Sequence, residues 1–453
     1  MKKILQMSKD MRSVKKTDIF DSIIPMYYLS KYTGLAPLSL AYTQDKQGTA
    51  RVTLKTSIPA GLYTVLWIVG IAAALCFVLT FYRFYTLPFG NTETKQVQVS
   101  EFVSRGITCF TSLATSLTRI RKEIDPLLYK ISVIDTLLGT KNDILRSNVI
   151  YTWMQVISLL SILVIVYAND FVSMYPDFII GLSVTVTYVC TTIKIVTIMQ
   201  FLNLVSLLKQ KFQILNSSLG SAENPTQHRT DNNLWEILLQ TPRFRNDNWK
   251  DDALQIEALY QALNRRHYSN ITVQDSSSFC IQNSWLHKDK LRFRSLRIIW
   301  DVLCDISSSV NSMYGLQILL CIVSAFMDIT TNLSYSIISL KVKVITNEEL
   351  YFKVVTPIIW ALSQFLQLFW MAATCSAACG EANRSVTLLQ KLLLLPELHP
   401  ATASEIQLFL HQVRDRKPKF TAWDLFTINY SLLVSTVGAI ATYLVILVQM
   451  QAN

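Results

Sequence analysis

The chain has 453 residues, of which 51% are hydrophobic and only 16% charged, and its formal net charge is +11. Soluble domains carry about a quarter charged residues, so this balance argues against a water-soluble protein and for one solvated by lipid. The basic residues sit beside apolar runs and not on an aromatic-interleaved patch, which favours a membrane surface over nucleic acid as the partner.

Residues 1–57 open with Met1-Lys2-Lys3, and the apolar stretch before Ser8, Lys9 and Asp10 is too short for the core of a signal peptide. The segment is therefore read as cytosolic, and the first spanning helix as its own insertion signal. That helix is predicted over Ile58 to Phe81, apolar almost throughout and closed by Arg83. A second span, about Val99 to Leu117, contains Arg105 and many Thr and Ser residues, so it should be largely buried by protein rather than lipid. The third covers Val149 to Tyr167 and the fourth Phe178 to Val205, completing a membrane unit over residues 58–205.

Residues 206–309 form a cytosolic linker with helical extensions. Its middle, with Asn224-Pro225, Pro242 and Ser276-Ser277-Ser278, reads as loop, and Lys288 to Ile306 as a basic then amphipathic helix. The fifth span, Val310 to Leu340, and the sixth, Val354 to Cys375, fill residues 310–375. Residues 376–428 are predicted to be cytosolic helices. Glu381 to Leu395 would extend span six, Pro396 would end it, and Ser404 to Val413 would form another short helix. The unit 429–453 holds the seventh span, Asn429 to Met450. The fold class is thus all-α: a polytopic membrane protein with seven transmembrane helices and a cytosolic helical region.

Orientation follows from the lysines and arginines. Ten precede the first span, and the links from span two to three, four to five and six to seven are basic. The turn from Ala168 to Asp177 has none. This pattern puts the N-terminus in the cytosol and the C-terminus outside. It is opposite to the orientation of a G-protein-coupled receptor.

Polar residues inside the spans carry the functional information. On span seven, Ser431, Ser435, Gly438, Thr442 and Gln449 share one face. Small residues at that spacing let helices pack closely; equally, like faces from several subunits can surround a water-filled pore. Span five carries Gln317, Ser324, Asp328, Asn332 and Tyr335, and span six Trp360, Gln364 and Gln367. Asp328 is the one acidic residue well inside a span, where an ionised carboxylate costs at least a few kcal/mol and must face protein or water. With Arg105 and Thr187, these groups either hydrogen-bond one another to hold the bundle or line a cavity for a small polyhydroxylated or nitrogenous ligand. Arg105, near the outer end of span two, is a candidate partner for Asp328. Lys194, towards the inner half of span four, is expected to snorkel to the cytosolic interface.

Catalytic patterns are absent from the sequence. The five histidines are dispersed, and no phosphate-binding glycine loop, nucleophile elbow or metalloprotease helix occurs. The eight cysteines are scattered, and Cys375 and Cys379, although on one helix face, have no histidine beside them, so they read as packing residues. No enzymatic activity, cofactor or metal is expected.

The C-terminal span carries a resemblance. Thr442-Tyr443-Leu444-Val445-Ile446-Leu447-Val448-Gln449 resembles the signature closing insect gustatory receptors, Thr-Tyr, five hydrophobic residues, Gln and Phe, with Met450 in place of the Phe. The approach to it, Ala382-Asn383-Arg384, Leu388 to Leu394, Phe420 to Phe426 and Gly438-Ala439-Ile440-Ala441, is also similar, so the specific likeness covers roughly the last 75 residues. The resemblance implies a tastant-gated, non-selective cation channel of the plasma membrane, opened by a sugar or a bitter compound, related to insect odorant receptors and assembled as a homotetramer or heterotetramer. It further implies that the seventh helices of four subunits line the pore, with Ser435, Thr442, Val445, Ile446, Gln449 and Met450 at the pore and gate. A pocket among spans two to six would bind the tastant, and a cytosolic helical anchor would join subunits. Methionine keeps the gate position apolar on a more flexible side chain. Two rivals are a G-protein-coupled-type receptor, which needs an external N-terminus, and a secondary transporter, which usually shows paired repeats and Gly/Pro-broken spans.

Overall fold

The computed structural model describes residues 19–44, 50–84, 92–138, 150, 152–154, 156–157, 161, 164, 167, 178–220, 278–340, 354–396 and 398–450. The chain starts with α1 (Ile19–Tyr32) and an antiparallel hairpin, β1 (Leu38–Gln44) with β2 (Ala50–Thr56). The first span is α2 (Ile58–Phe84), followed by α3 (Thr92–Thr115), a π-helical turn at Ser116–Ile120 and α4 (Arg121–Leu138). The described residues of the third span are helical. Then come α5 (Phe178–Gly220), α6 (Ser278–Leu340), α7 (Thr356–Leu393), α8 (Pro400–Asp415), a short hairpin of β3 (Thr421–Ala422) and β4 (Phe426–Thr427), and α9 (Tyr430–Met450). The all-α membrane architecture is as predicted. The two hairpins were not anticipated, and the loop expected at Asn224-Pro225 and Pro242 lies outside the described residues.

Three helices are much longer than the bilayer requires, since about 20 residues suffice to cross it. α5, α6 and α7 run for 43, 63 and 38 residues. Expectation and structure differ here: the loop predicted to include Ser278 is instead the start of α6, and span four continues to Gly220. Their apolar surface continues past the membrane stretch and pairs helix to helix. Phe212 of α5 lies edge-on to Trp300 of α6, with ring centroids 5.0 Å apart, and Trp300 meets Phe409 of α8 at 6.4 Å. Around this aromatic core, Lys211 pairs with Asp135, and the Asn216 amide donates to the Glu381 carbonyl at 2.7 Å. α8 begins earlier than expected because Pro400 occupies its first turn and the His399 imidazole accepts from the Ala401 N–H at 3.2 Å.

α5 is central, packed on α7, α6 and α3, and it is buried on most sides, as an all-round apolar helix should be. α2 is peripheral and leaves Leu62, Leu66 and Val69 exposed for lipid. α3 has the reverse of soluble amphipathicity. Thr108 and Ser112, with Ser116 of the π-helical turn that follows, are buried, while Val103, Ile107 and Phe110 point outward. Some of these groups find partners on α6: Thr108 Oγ1 donates to the Leu320 carbonyl at 3.3 Å, and Gln317 donates to the Ser112 carbonyl and to Thr115 Oγ1, while the Ser116 hydroxyl donates to the Leu35 carbonyl. Polar groups turned inward on each other cost less than polar groups in hydrocarbon.

The N-terminal segment is docked as well. Gly34, at φ +76°, ends α1 in a left-handed cap: the Leu35 N–H reaches the Ser30 carbonyl at 2.8 Å and the Gly34 N–H the Lys31 carbonyl at 3.3 Å. The Gly34 carbonyl then accepts from Thr64 Oγ1 of α2 at 2.7 Å. A Cβ here would lie 2.9 Å from the Trp67 ring, so both dihedral and space demand glycine.

Candidate ligand site and pore face

Three helices deliver charge to one point in the bundle, and a fourth adds an amide. Asp328 of α6 is 1% exposed and both its oxygens are taken: Arg105 Nε of α3 donates to Oδ1 at 2.9 Å and Lys194 Nζ of α5 to Oδ2 at 2.7 Å. Lys194 also donates to Gln364 Oε1 of α7 at 2.9 Å and reaches Ser324 Oγ at 3.5 Å. Glu101, one helical turn before Arg105, accepts from its guanidinium. Two cations thus face two carboxylates, with an amide and a hydroxyl filling the remaining donor directions of the ammonium. A charge cluster this dry persists only when its members are paired and hydrogen-bonded.

The pairing of Arg105 with Asp328 was anticipated; the place of Lys194 was not. Instead of snorkelling to an interface, Lys194 is 1% exposed and bonded within the cluster. The reason is that a carboxylate and an amide contributed by two other helices offer its ammonium better partners than a stretched route to water. Glu101 was overlooked as well, although its four-residue spacing from Arg105 is a legible signal.

The other candidate residues lie further along three of the same helices, α5, α6 and α7. Asn332 is half-buried and its amide donates to the Asp328 backbone carbonyl at 2.6 Å, so it serves its own helix and not the carboxylate. Tyr335 and Thr187 are half-buried. Gln367 is half-buried too, and its Oε1 is buried with no partner among the described residues. Trp360, one turn before Gln364 on α7, meets Tyr188 of α5 edge-on at 5.6 Å, and Tyr188 in turn meets Tyr167 at 4.8 Å. The Tyr167 hydroxyl lies 3.2 Å from Thr185 Oγ1. Three aromatic rings from three spans therefore pack in a row, with Trp360 one turn from Gln364 of the ion cluster; Tyr167 and Tyr188 were not singled out in the sequence, because aromatic residues are unremarkable in an apolar span.

α9 rests on α6 and α7 through a narrow edge, with Leu433, Thr436 and Ile440 buried. Ser431, Ser435, Gly438, Thr442 and Gln449 are exposed, as are Val445 and Ile446; the Met450 side chain lies outside the described residues. At 3.6 residues per turn the polar stripe falls about half a turn from the buried edge. Close packing inside the subunit therefore does not account for the small residues of the stripe. They face away from the chain's own bundle.

The link into α9 is built with care. The β3–β4 hairpin lies against Gly315 of α6, where a Cβ would come within 3.1 Å of the Trp423 backbone nitrogen. Asn311 of α6 holds the same strand from both sides, donating to the Lys419 carbonyl and accepting from the Thr421 N–H. Trp423 and Asp424 have φ of 50° and 57°, and the Asp424 carboxylate accepts from Thr421 Oγ1 at 2.8 Å. A non-glycine pair in that region is uncommon and is held here by these contacts. Arg416, just ahead, forks between Asp301 and Asp305 of α6.

Comparison with known proteins adds three findings. A family model described as 7tm chemosensory receptor matches residues 23–453. The Drosophila melanogaster protein named gustatory receptor for sugar taste 43a is 26% identical over 143 residues, 31% of this chain and 32% of that protein, so the chain spans about a third of that relative's length. The solved structure of the insect olfactory receptor OR5 from Machilis hrabei aligns with a TM-score of 0.56 at 11% identity, covering 94% of this chain and 97% of that one. The structure of the same receptor in complex with eugenol aligns with a TM-score of 0.47.

Proposed function

The chain belongs to the 7tm chemosensory receptor family, and from that premise we propose that it is a tastant-gated, non-selective cation channel of the plasma membrane, working as a homotetramer or heterotetramer. The observation that carries the channel reading is the free face of α9. Ser435, Thr442 and Gln449 lie on the side of a membrane helix that its own subunit leaves uncovered. Hydroxyls and an amide turned into acyl chains are costly, whereas the same stripe repeated around a central axis lines a wet lumen. The basic cytosolic links support a cytosolic N-terminus and an external C-terminus.

The ligand is taken to be a small polyhydroxylated tastant of the sugar class. Rings offer a flat apolar surface to the C–H face of a sugar, and Trp360 and Tyr188 supply such plates. The name of the Drosophila relative points the same way. Both Asp328 oxygens are engaged by the chain's own cations, so a ligand bonding there has to displace Arg105 or Lys194. Binding that favours one packing of α6 against α7 is felt by α9, which rests on both. Gating needs only a differential affinity of ligand for the two packings, with no covalent chemistry. Closed, Val445, Ile446 and Met450 form an apolar constriction that dewets; open, the Gln449 amide meets the permeating cation.

The test is to express the chain alone and record calcium signals and whole-cell current against a panel of sugars and bitter compounds. Sugar-evoked cation current, blocked by a water-soluble thiol reagent in Thr442→Cys or Ser435→Cys and unaffected in Val437→Cys, is the expected result. Saturable uptake without current, or equal block at all three positions, would refute the channel reading.

A further inference from the structure

The N-terminal helix, the start of the first span and the end of the second meet at one corner of the bundle. α1 ends against α2: the Tyr63 hydroxyl donates to the Tyr32 carbonyl at 2.9 Å, and Thr64 Oγ1 to the Gly34 carbonyl at 2.7 Å. The π-helical turn after α3 joins the same cap, where the Ser116 hydroxyl donates to the Leu35 carbonyl. α4 then begins with Arg121, and a Cβ on Gly61 of α2 would lie 3.6 Å from its guanidinium. Gly61 at Arg121 and Thr64 at the cap are three residues apart, about 4.5 Å along the α2 axis.

The outer surface of this corner has an apolar part and a basic part. Tyr32 is 79% exposed, Ile58 75% and Leu62 60%, and Tyr28 and Lys31 share the exposed face of α1 with Tyr32. Lys31, Arg119 and Lys122 are exposed and Arg121 is half-buried. Arg119 lies near Glu123 and donates to the Ser312 carbonyl of α6 at 3.1 Å, and the Lys31 ammonium stands 5.7 Å from the Tyr27 ring centre. Lys31, Arg121 and Lys122 enter no ion pair among the described residues. Glu123 and Asp125 are both half-buried, and the first turn of α2 carries no carboxylate. The charge shown at this surface is therefore positive. Exposed tyrosines, aliphatic side chains and cations at the first turn of a spanning helix match the level where acyl chains give way to headgroups.

We propose that this corner is a binding surface for an anionic phospholipid. Its phosphate lies at Arg121 with Lys31 and Lys122 on either side, and its acyl chains run along Ile58, Leu62 and Leu66 of α2. The choice of an acidic lipid rests on the cytosolic orientation proposed above, because the cytosolic leaflet is the one rich in acidic lipids. The surface is separate from the Asp328 cluster and from the α9 face. A lipid seated there fastens α1 to the first two spans.

The experiment titrates the full chain, purified in a nonionic detergent, with dioleoylphosphatidylserine or dioleoylphosphatidylcholine and counts retained lipids by native mass spectrometry. Each cation near an acidic headgroup is worth about fivefold in affinity, so the serine lipid is expected to bind at least about tenfold more tightly at the first step. Lys31→Gln, Arg121→Gln and Lys122→Gln together should remove that preference. Lys391→Gln, Arg414→Gln and Lys417→Gln, an equal loss of charge at exposed positions elsewhere, should keep it. Lys122→Gln alone, at an exposed position, should reduce the preference about fivefold and keeps the test decisive if the triple variant fails to fold. Water-soluble glycerophosphoserine should compete poorly, since it has no acyl chains to lay on α2. Equal affinity for the two lipids, a preference lost just as fully in the control triple variant, or full competition by the soluble headgroup would overturn the proposal. Titration in detergent does not depend on topology, so an N-terminus found outside the cell would fail the orientation and leave this result to stand or fall by itself.

Discussion

At the scale of single residues, the ion cluster is where magnitudes decide. Asp328 faces two cations, so Asp328→Asn leaves Arg105 and Lys194 buried with less than their compensating charge. Removing one partner of a buried pair costs about 3–5 kcal/mol, and this substitution should lower stability by about that amount, read from thermal or denaturant unfolding in detergent. Adding Lys194→Met to Asp328→Asn should recover a large part, because the remaining Arg105 still has Glu101. If the double variant is no more stable than the single one, the cluster is not the electrostatic unit described. Asp328 and Arg105 were legible in the sequence because charged residues inside apolar runs demand a reason. Lys194 was misread because its depth was judged along one helix, while its partners come from residues 134 and 170 positions away.

At the scale of elements, the hairpin before α9 illustrates how contact outweighs charge. Gly315→Val pushes side-chain carbons into the Trp423 backbone, which in a packed site costs about 1–3 kcal/mol. Arg416→Ala breaks two ion pairs, but all three side chains are more than 40% exposed, and exposed pairs are worth about 0–1 kcal/mol each. Unfolding measurements should therefore rank Gly315→Val as the more damaging, despite the larger number of bonds drawn at Arg416. The reverse order would mean that the hairpin is loose against α6. The β1–β2 hairpin has a visible alternation, Leu38, Leu40 and Tyr42 against Val52 and Leu54, but seven-residue alternations carry little weight in a chain dominated by helical runs. The extension of α5 to Gly220 lies beyond what hydropathy detects, since its last turns are held by packing on α6 and α7, with Phe212 against Trp300 and Asn216 bonded to Glu381, and not by lipid.

At the scale of the whole molecule, orientation and assembly can be read out directly. An epitope tag at the N-terminus should stain only after permeabilisation, and one after Asn453 should stain on intact cells; the opposite pattern would place the polar stripe of α9 upside down for the proposed gate. Gln449→Ala should change basal leak or unitary conductance several-fold with little change in tastant sensitivity, because Gln449 lies on the free face and away from the ligand helices. A shift confined to the dose-response midpoint would move Gln449 from the permeation path to the binding site.

The sequence by itself determined that this chain is an all-α membrane protein, and it marked the polar residues inside apolar runs that require partners. Those conclusions rest on transfer free energies and on helical periodicity, which are local and additive along the chain. Only the tertiary structure decided which charges meet, that the polar side of α3 turns inward, and that the small residues of α9 point away from their own bundle. Each of these depends on the rotation of a helix about its axis relative to neighbours hundreds of residues distant, and hydropathy has no term for that rotation.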